Sequence, residues 1–164
     1  MDLSFDVTYQ YIARLRYHED SLGIVLKGHL LIEYVLDVMI EKGLREPKPI
    51  LSNHRSFPFA VKARLLYETG HLSRPIFRNT ARITRIRNEL AHTLSLNPDK
   101  LDFKFDTDYG ESPGEVELKK QVRRANNPMK KYLWLLCFGT LSQVQRAYYQ
   151  RFNSWPLFDR PLEV

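Results

Sequence analysis

Apolar residues recur at three- and four-residue intervals along much of this chain, and one such stretch is broad enough to predict a buried helix. Over 21–42, Leu22, Val25, Leu26, Leu30, Ile32, Val35, Leu36 and Met39 form a wide apolar face, and Gly43 supplies a stop signal. Upstream, Phe5, Tyr9, Ile12 and Leu15 keep the same spacing and predict a shorter amphipathic helix ending around 18–20. Pro47 and Pro49, followed by Ser52 and Asn53, predict a loop over 44–56. A helix over 58–69 comes next and stops at Gly70. Ser73 is a suitable N-cap and Pro75 is tolerated in a first turn, so a further helix is predicted to start there and run through His92 to Thr93.

The pattern changes at 97–114. Pro98, Gly110, Pro113, Gly114 and several aspartates predict a long loop, within which Leu101, Phe103 and Phe105 alternate as in an extended strand-like piece. Its charge pattern suits a flap. A basic helical piece over 115–125, a break at Asn126-Asn127-Pro128 and a strongly apolar last helix over 129–152 complete the series, with an irregular tail over 153–164. No repeat or heptad array is visible, so the expectation is one all-α domain over 1–164, a single helical bundle of four to six helices.

Composition narrows the function classes. A chain of 164 residues suits one domain, and a domain of that size buries roughly 70% of its unfolded surface. The 43% hydrophobic content excludes disorder over most of the length. A net charge of +6 and a pI near 9.5 suit an anionic partner. Cys137 stands alone, so neither an intramolecular disulfide nor a cysteine-based metal site can form. Met1-Asp2-Leu3-Ser4 lacks the order of a secretion signal and no apolar run approaches the ~20 residues that span a bilayer, so the expected compartment is the cytoplasm, with no membrane partner.

The greatest chemical content lies in Ile86-Arg87-Asn88-Glu89-Leu90-Ala91-His92, at the end of the helix that starts after Ser73. It combines a permanently cationic fork, an amide and an imidazole that can both accept and donate a proton, which suits chemistry on a phosphodiester. On a helix, Arg87 and His92 stand roughly 140° apart around the axis and about 7.5 Å apart along it. They flank a strip of Thr84, Asn88 and Ala91, whereas Ile83, Ile86, Leu90 and Leu94 are predicted to face the core. Arg74, Arg78, Arg82 and Arg85 form an adjacent stripe that could track a nucleic-acid backbone, or could be a solvated face paired with acids. A structural role would pair Arg87 with Glu33, the carboxylate embedded in Leu30-Leu31-Ile32-Glu33-Tyr34-Val35, and would use His92 as a C-terminal cap. Glu33 is thus a supporting residue in either reading. His18, His29, His54 and His71 show no metal-ligand spacing; His29 and Glu33 share a face, but two ligands lack a third. No cofactor or metal is expected.

Arg-x4-His with asparagine after the arginine, on a late helix of a small all-α bundle, resembles the HEPN superfamily. The run 60–73 together with Ile86-Arg87-Asn88-Glu89-Leu90-Ala91-His92 also looks like mannitol-repressor-type proteins, with Leu90 where those carry an aromatic. The first resemblance implies a metal-independent endoribonuclease, acting as a toxin, defence or RNA-processing effector, with Arg87, Asn88 and His92 catalytic. His92 would move a proton at the RNA 2′-hydroxyl or the leaving 5′-oxygen, Arg87 would stabilise the phosphate's developing charge, and Asn88 would orient either. Products would be a 2′,3′-cyclic phosphate and a 5′-hydroxyl. The resemblance also implies a homodimer whose twofold pairs two motifs in one cleft, and a cognate antitoxin or regulatory protein as partner. The second resemblance implies a non-enzymatic regulatory or interaction protein. No helix-turn-helix with a short turn of its own is evident, which argues against direct reading of DNA sequence.

Overall fold

Asp20 opens the first described helix by accepting a hydrogen bond from the Gly23 amide at 2.6 Å, satisfying a donor that the first turn cannot pair internally. The computed structural model describes residues 20–108 and 126–156. Helix α1 (Ser21–Gly43) is followed by a single turn, α2 (Lys48–Leu51), then α3 (Phe59–Glu68), α4 (Arg74–Thr93) and α5 (Pro128–Phe152). A short 3-10 turn (Pro98–Lys100) follows α4, and there is no strand among the described residues. The fold is an all-α helical bundle, as the periodicity predicts. The helix expected before residue 20, the basic piece over 115–125 and the end of the tail lie outside the described residues.

The core forms where α1 lies against α5, with α3 and α4 closing its other sides. Ile32, Leu36, Met39 and Ile40 of α1 are fully buried with Leu133, Leu136 and Val144 of α5. Gly28 permits the closest approach: a Cβ there would sit 2.4 Å from Cys137 Cβ, so only glycine lets the two helices meet at this turn. Cys137 is buried, and burial pushes its thiol up to about 12. Among the described residues no helix is long and apolar enough to cross a membrane.

Three local outcomes depart from the pattern. The turn α2 forms inside the expected 44–56 loop because Pro47 and Pro49 suit a first helical turn. Leu94, expected in the core, is 80% exposed: it takes a left-handed conformation (φ 56°) as the C-cap of α4, and that turn swings its side chain off the buried line. The 101–108 segment is extended but lies on the bundle. Leu101 and Phe105 are buried, whereas Phe103, on the same side of an ideal strand, breaks the alternation with a φ of 47° and tilts over Tyr132 at 5.0 Å. Phe105 packs where Gly139 of α5 leaves room.

Candidate functional site

Ser73 caps α4 by accepting from the Ile76 amide at 3.5 Å, and Pro75 occupies its first turn. The buried face carries Ile76, Ile83, Ile86 and Leu90, which fixes the rotation of the helix. That rotation leaves Arg87, Asn88, Ala91 and His92 exposed and Thr84 half-buried. Arg87 Nη1 donates to Asn88 Oδ1 at 3.3 Å, so the arginine and the amide are in contact on the outer surface. Thr84 Oγ1 donates to the Thr80 carbonyl at 2.9 Å and offers little polarity outward. The three motif residues therefore share one exposed end of α4, with His92 in its last turn, where the helix carbonyls favour a cation.

Glu33 does not pair with Arg87. Its Oε1 lies 2.9 Å from Lys62 Nζ, and the same ammonium lies 2.7 Å from Asp37 Oδ1. Lys62 is fully buried at the inner side of α3. A charge there needs compensation, and two carboxylates one turn apart on α1 supply it. Burial opposes the charged lysine, yet the hydrogen bonds to Asp37 and then Glu33 outweigh it and raise its pKa. His29, one turn before Glu33, packs tilted against Phe59 at 4.2 Å between centroids and places Nδ1 3.9 Å from Glu33 Oε2. Burial lowers the pKa of His29; Glu33 opposes this, and the positive charges of Arg87 and Lys62 reinforce it.

The arginine stripe divides. Arg74, Arg78 and Arg85 are exposed. Arg82 is half-buried and tied down: Nη1 reaches Asp106 Oδ2 at 2.6 Å and Asn79 Oδ1 at 3.0 Å, and Nε reaches Asp102 Oδ2 at 3.4 Å. Asn79 is buried and also accepts from the Asp106 amide at 3.0 Å while donating to the Asp106 carbonyl at 2.8 Å. Arg82 thus fastens the 101–106 segment to α4.

The sequence reading missed Lys62, Asp37 and the place of His29. The signal was present as His29, Glu33 and Asp37 at four-residue spacing inside an apolar helix, a polar stripe that only a buried counter-charge from another helix would keep. Among the described residues no group of three His, Cys, Asp or Glu side chains could hold a metal ion. Fold and geometry define the class: an all-α bundle with an exposed arginine, amide and imidazole on one helix end, beside a buried lysine with two carboxylates. Compared with family models, characterised proteins and solved structures, the chain finds no match in any of the three.

Proposed function

We propose that this protein is a metal-independent endoribonuclease of the HEPN kind, using Arg87, Asn88 and His92 at a cleft completed by a second copy of the chain. The observation that carries the reading is the exposure of all three side chains on one end of α4, with Arg87 in contact with Asn88 while Glu33 is engaged by Lys62. The structural role expected for Arg87, locking α4 to α1 through Glu33, therefore loses its partner. Arg87 would hold a phosphate bidentately and stabilise charge developing on its oxygens. His92 would transfer a proton to or from the reacting oxygens, and its counterpart on the second protomer would supply the other proton step. DNA, lacking the 2′-hydroxyl, would not react. An effector role in defence or RNA processing, held in check by a cognate protein, follows from the same reading.

Labelled RNA incubated with the protein in chelator tests it. Cleavage is expected to leave 2′,3′-cyclic phosphate ends. Arg87→Ala and His92→Ala should each reduce the rate by about 100-fold or more without loss of helicity or dimerisation. Intact RNA, or cleavage undiminished in both variants, refutes the proposal. A second reading, a non-enzymatic regulatory protein resembling the mannitol-repressor group, takes the outward Arg74, Arg78 and Arg85 of α4 as a contact face for a protein or nucleic acid. Intact RNA would leave that reading standing.

A further inference from the structure

We propose that His29 is a second imidazole of the site, accepting the proton of the attacking hydroxyl beside Arg87; the inference rests on the ribonuclease reading and deepens it. Two contacts hold the ring. Phe59 packs tilted against it at 4.2 Å between centroids, and Glu33 stands 3.9 Å from its Nδ1. Glu33 is in turn fixed by Lys62, and Lys62 by Asp37, so the carboxylate beside the imidazole has its own anchor. A carboxylate at this distance stabilises the imidazolium that forms when the ring takes a proton from a hydroxyl. The His29 side chain keeps 13% of its surface open, enough for one edge to meet a substrate.

Chain direction brings Arg87 to the same place. Phe77 of α4 stacks on Tyr67 at 4.8 Å and lies under Arg64 at 5.5 Å, so α3 and α4 run back along each other from the turn at Gly70. The first turns of α3, with Phe59 and Lys62, then fall beside the later turns of α4, which carry Arg87. The charges facing His29 are Glu33 on α1, Lys62 on α3 and Arg87 on α4. Helix α5 approaches the neighbouring turn, at Gly28, through the thiol of Cys137. Burial and the two cations favour neutral His29 near pH 7, the form that accepts a proton.

In the step, a ring nitrogen of His29, in place of the second protomer's imidazole, takes the proton of the 2′-hydroxyl as the O2′–P bond forms. The P–O5′ bond breaks, and the leaving oxygen takes a proton from protonated His92. Arg87 holds the phosphate oxygens throughout. No oxidant or metal enters the balance.

The test measures single-turnover RNA cleavage in chelator against pH for the whole protein, His29→Gln and His29→Phe, the second of which keeps an aromatic ring against Phe59. Both variants should lose about 100-fold or more of the rate, and the fall in rate on the acidic side, where His29 becomes protonated, should vanish in His29→Gln. If the unaltered protein cleaves RNA and both variants stay within about threefold, well below the usual effect of a general base, with the acidic fall unchanged, the role of His29 is overturned and the ribonuclease reading stands. If the unaltered protein leaves RNA intact, the ribonuclease reading falls and takes this one with it. Folding of the His29 variants does not limit the test, because the His29 ring protons can be titrated by NMR in Arg87→Gln, altered only at an exposed position. The midpoint should rise relative to the unaltered protein; an unmoved midpoint overturns the juxtaposition.

Discussion

Replacing Lys62 by methionine isolates the one fully buried charge of the described residues. Methionine keeps most of the stem volume, so the packing loss is small and the effect reports the missing ammonium. Lys62 is 0% exposed, while Glu33 and Asp37 keep 24% and 16% of their side-chain surface in contact with solvent. Removing one partner of a fully buried pair costs about 3–5 kcal/mol because the other is stranded. Here both stranded carboxylates still touch water, which reduces the expected loss to about 2–3 kcal/mol. For a domain of this length that corresponds to a fall in Tm of roughly 4–12 °C. Urea and thermal unfolding near neutral pH measure it. The triple variant Glu33→Gln, Asp37→Asn, Lys62→Met should recover much of the loss, since no uncompensated charge remains. The pH sign is definite. Because the pKa of Lys62 is raised in the folded state, its contribution is complete below the ordinary lysine pKa, about 10.4, and disappears as pH rises through the raised value. Lys62→Met should lack that alkaline component. A loss below about 1 kcal/mol, the range of exposed pairs, with an unchanged alkaline profile would refute the account of the buried triad.

Gly28→Ala should destabilise by about 1–3 kcal/mol, the range for forced overpacking, although alanine is the better helix former, because its Cβ would meet Cys137 at 2.4 Å; a neutral or raised urea midpoint would contradict it. Burial lowers the pKa of both His29 and His71 below 6.5, with Arg151 lowering His71 further, so the unfolded chain binds their protons more readily and stability should fall as pH drops below 6.5. Urea midpoints across that window measure the fall, and His71→Gln should flatten it; an unchanged slope would count against the burial of His71 over Gly43. On the RNA-binding reading, Arg78→Gln should lower the salt slope of binding by about 0.7, whereas Arg82→Gln should leave that slope in place and speed amide exchange at Asp106; equal effects on binding would refute the division of the arginines.

The boundaries of α1, α3, α4 and α5 were legible because each combines a 3.6-residue apolar rhythm with a local stop or cap: Gly43, Gly70, Ser73 and Asn127. The rotation of α4 was also legible, since Ile83, Ile86 and Leu90 can only be inside if Arg87 and His92 are not. Leu94 was misplaced because helical periodicity cannot anticipate the residue that leaves the helix in a left-handed turn. The partner of Glu33 was not legible for a different reason. A buried carboxylate demands a cation, but sequence does not say which helix supplies it, and Lys62 sits in Ala60-Val61-Lys62-Ala63, where its neighbours suggest an ordinary amphipathic surface. The distinction among the arginines depended likewise on Asp102 and Asp106, twenty or more residues away, folding back onto Arg82.

Those two pairings decide which cations remain for a phosphate. Lys62 answers both carboxylates on the polar side of α1, so α1 makes no ion pair with Arg87 among the described residues. Arg82, which a helix projection counts with the stripe, is neutralised by the 101–106 segment. What remains outward on α4 is Arg74, Arg78 and Arg85 along one line and Arg87 with Asn88 at its side, ending at His92. Within the 97–114 loop, the described stretch 101–108 holds Arg82 back through Asp102 and Asp106 and lies on the core through Leu101 and Phe105. Its contribution to any polyanion surface is negative, because Asp102 is kept ionised: burial alone would raise its pKa, but the Lys104 amide and the Arg82 and Arg85 charges lower it overall. An anion approaching α4 from the segment's side therefore meets carboxylates as well as arginine, whereas one approaching over Arg87 meets a cation and an amide. The outward field on α4 thus favours Arg87 over Arg82, while toward His29 the carboxylates of Glu33 and Asp37 stand against the one ammonium of Lys62, so an anion drawn there depends on Arg87 to hold it.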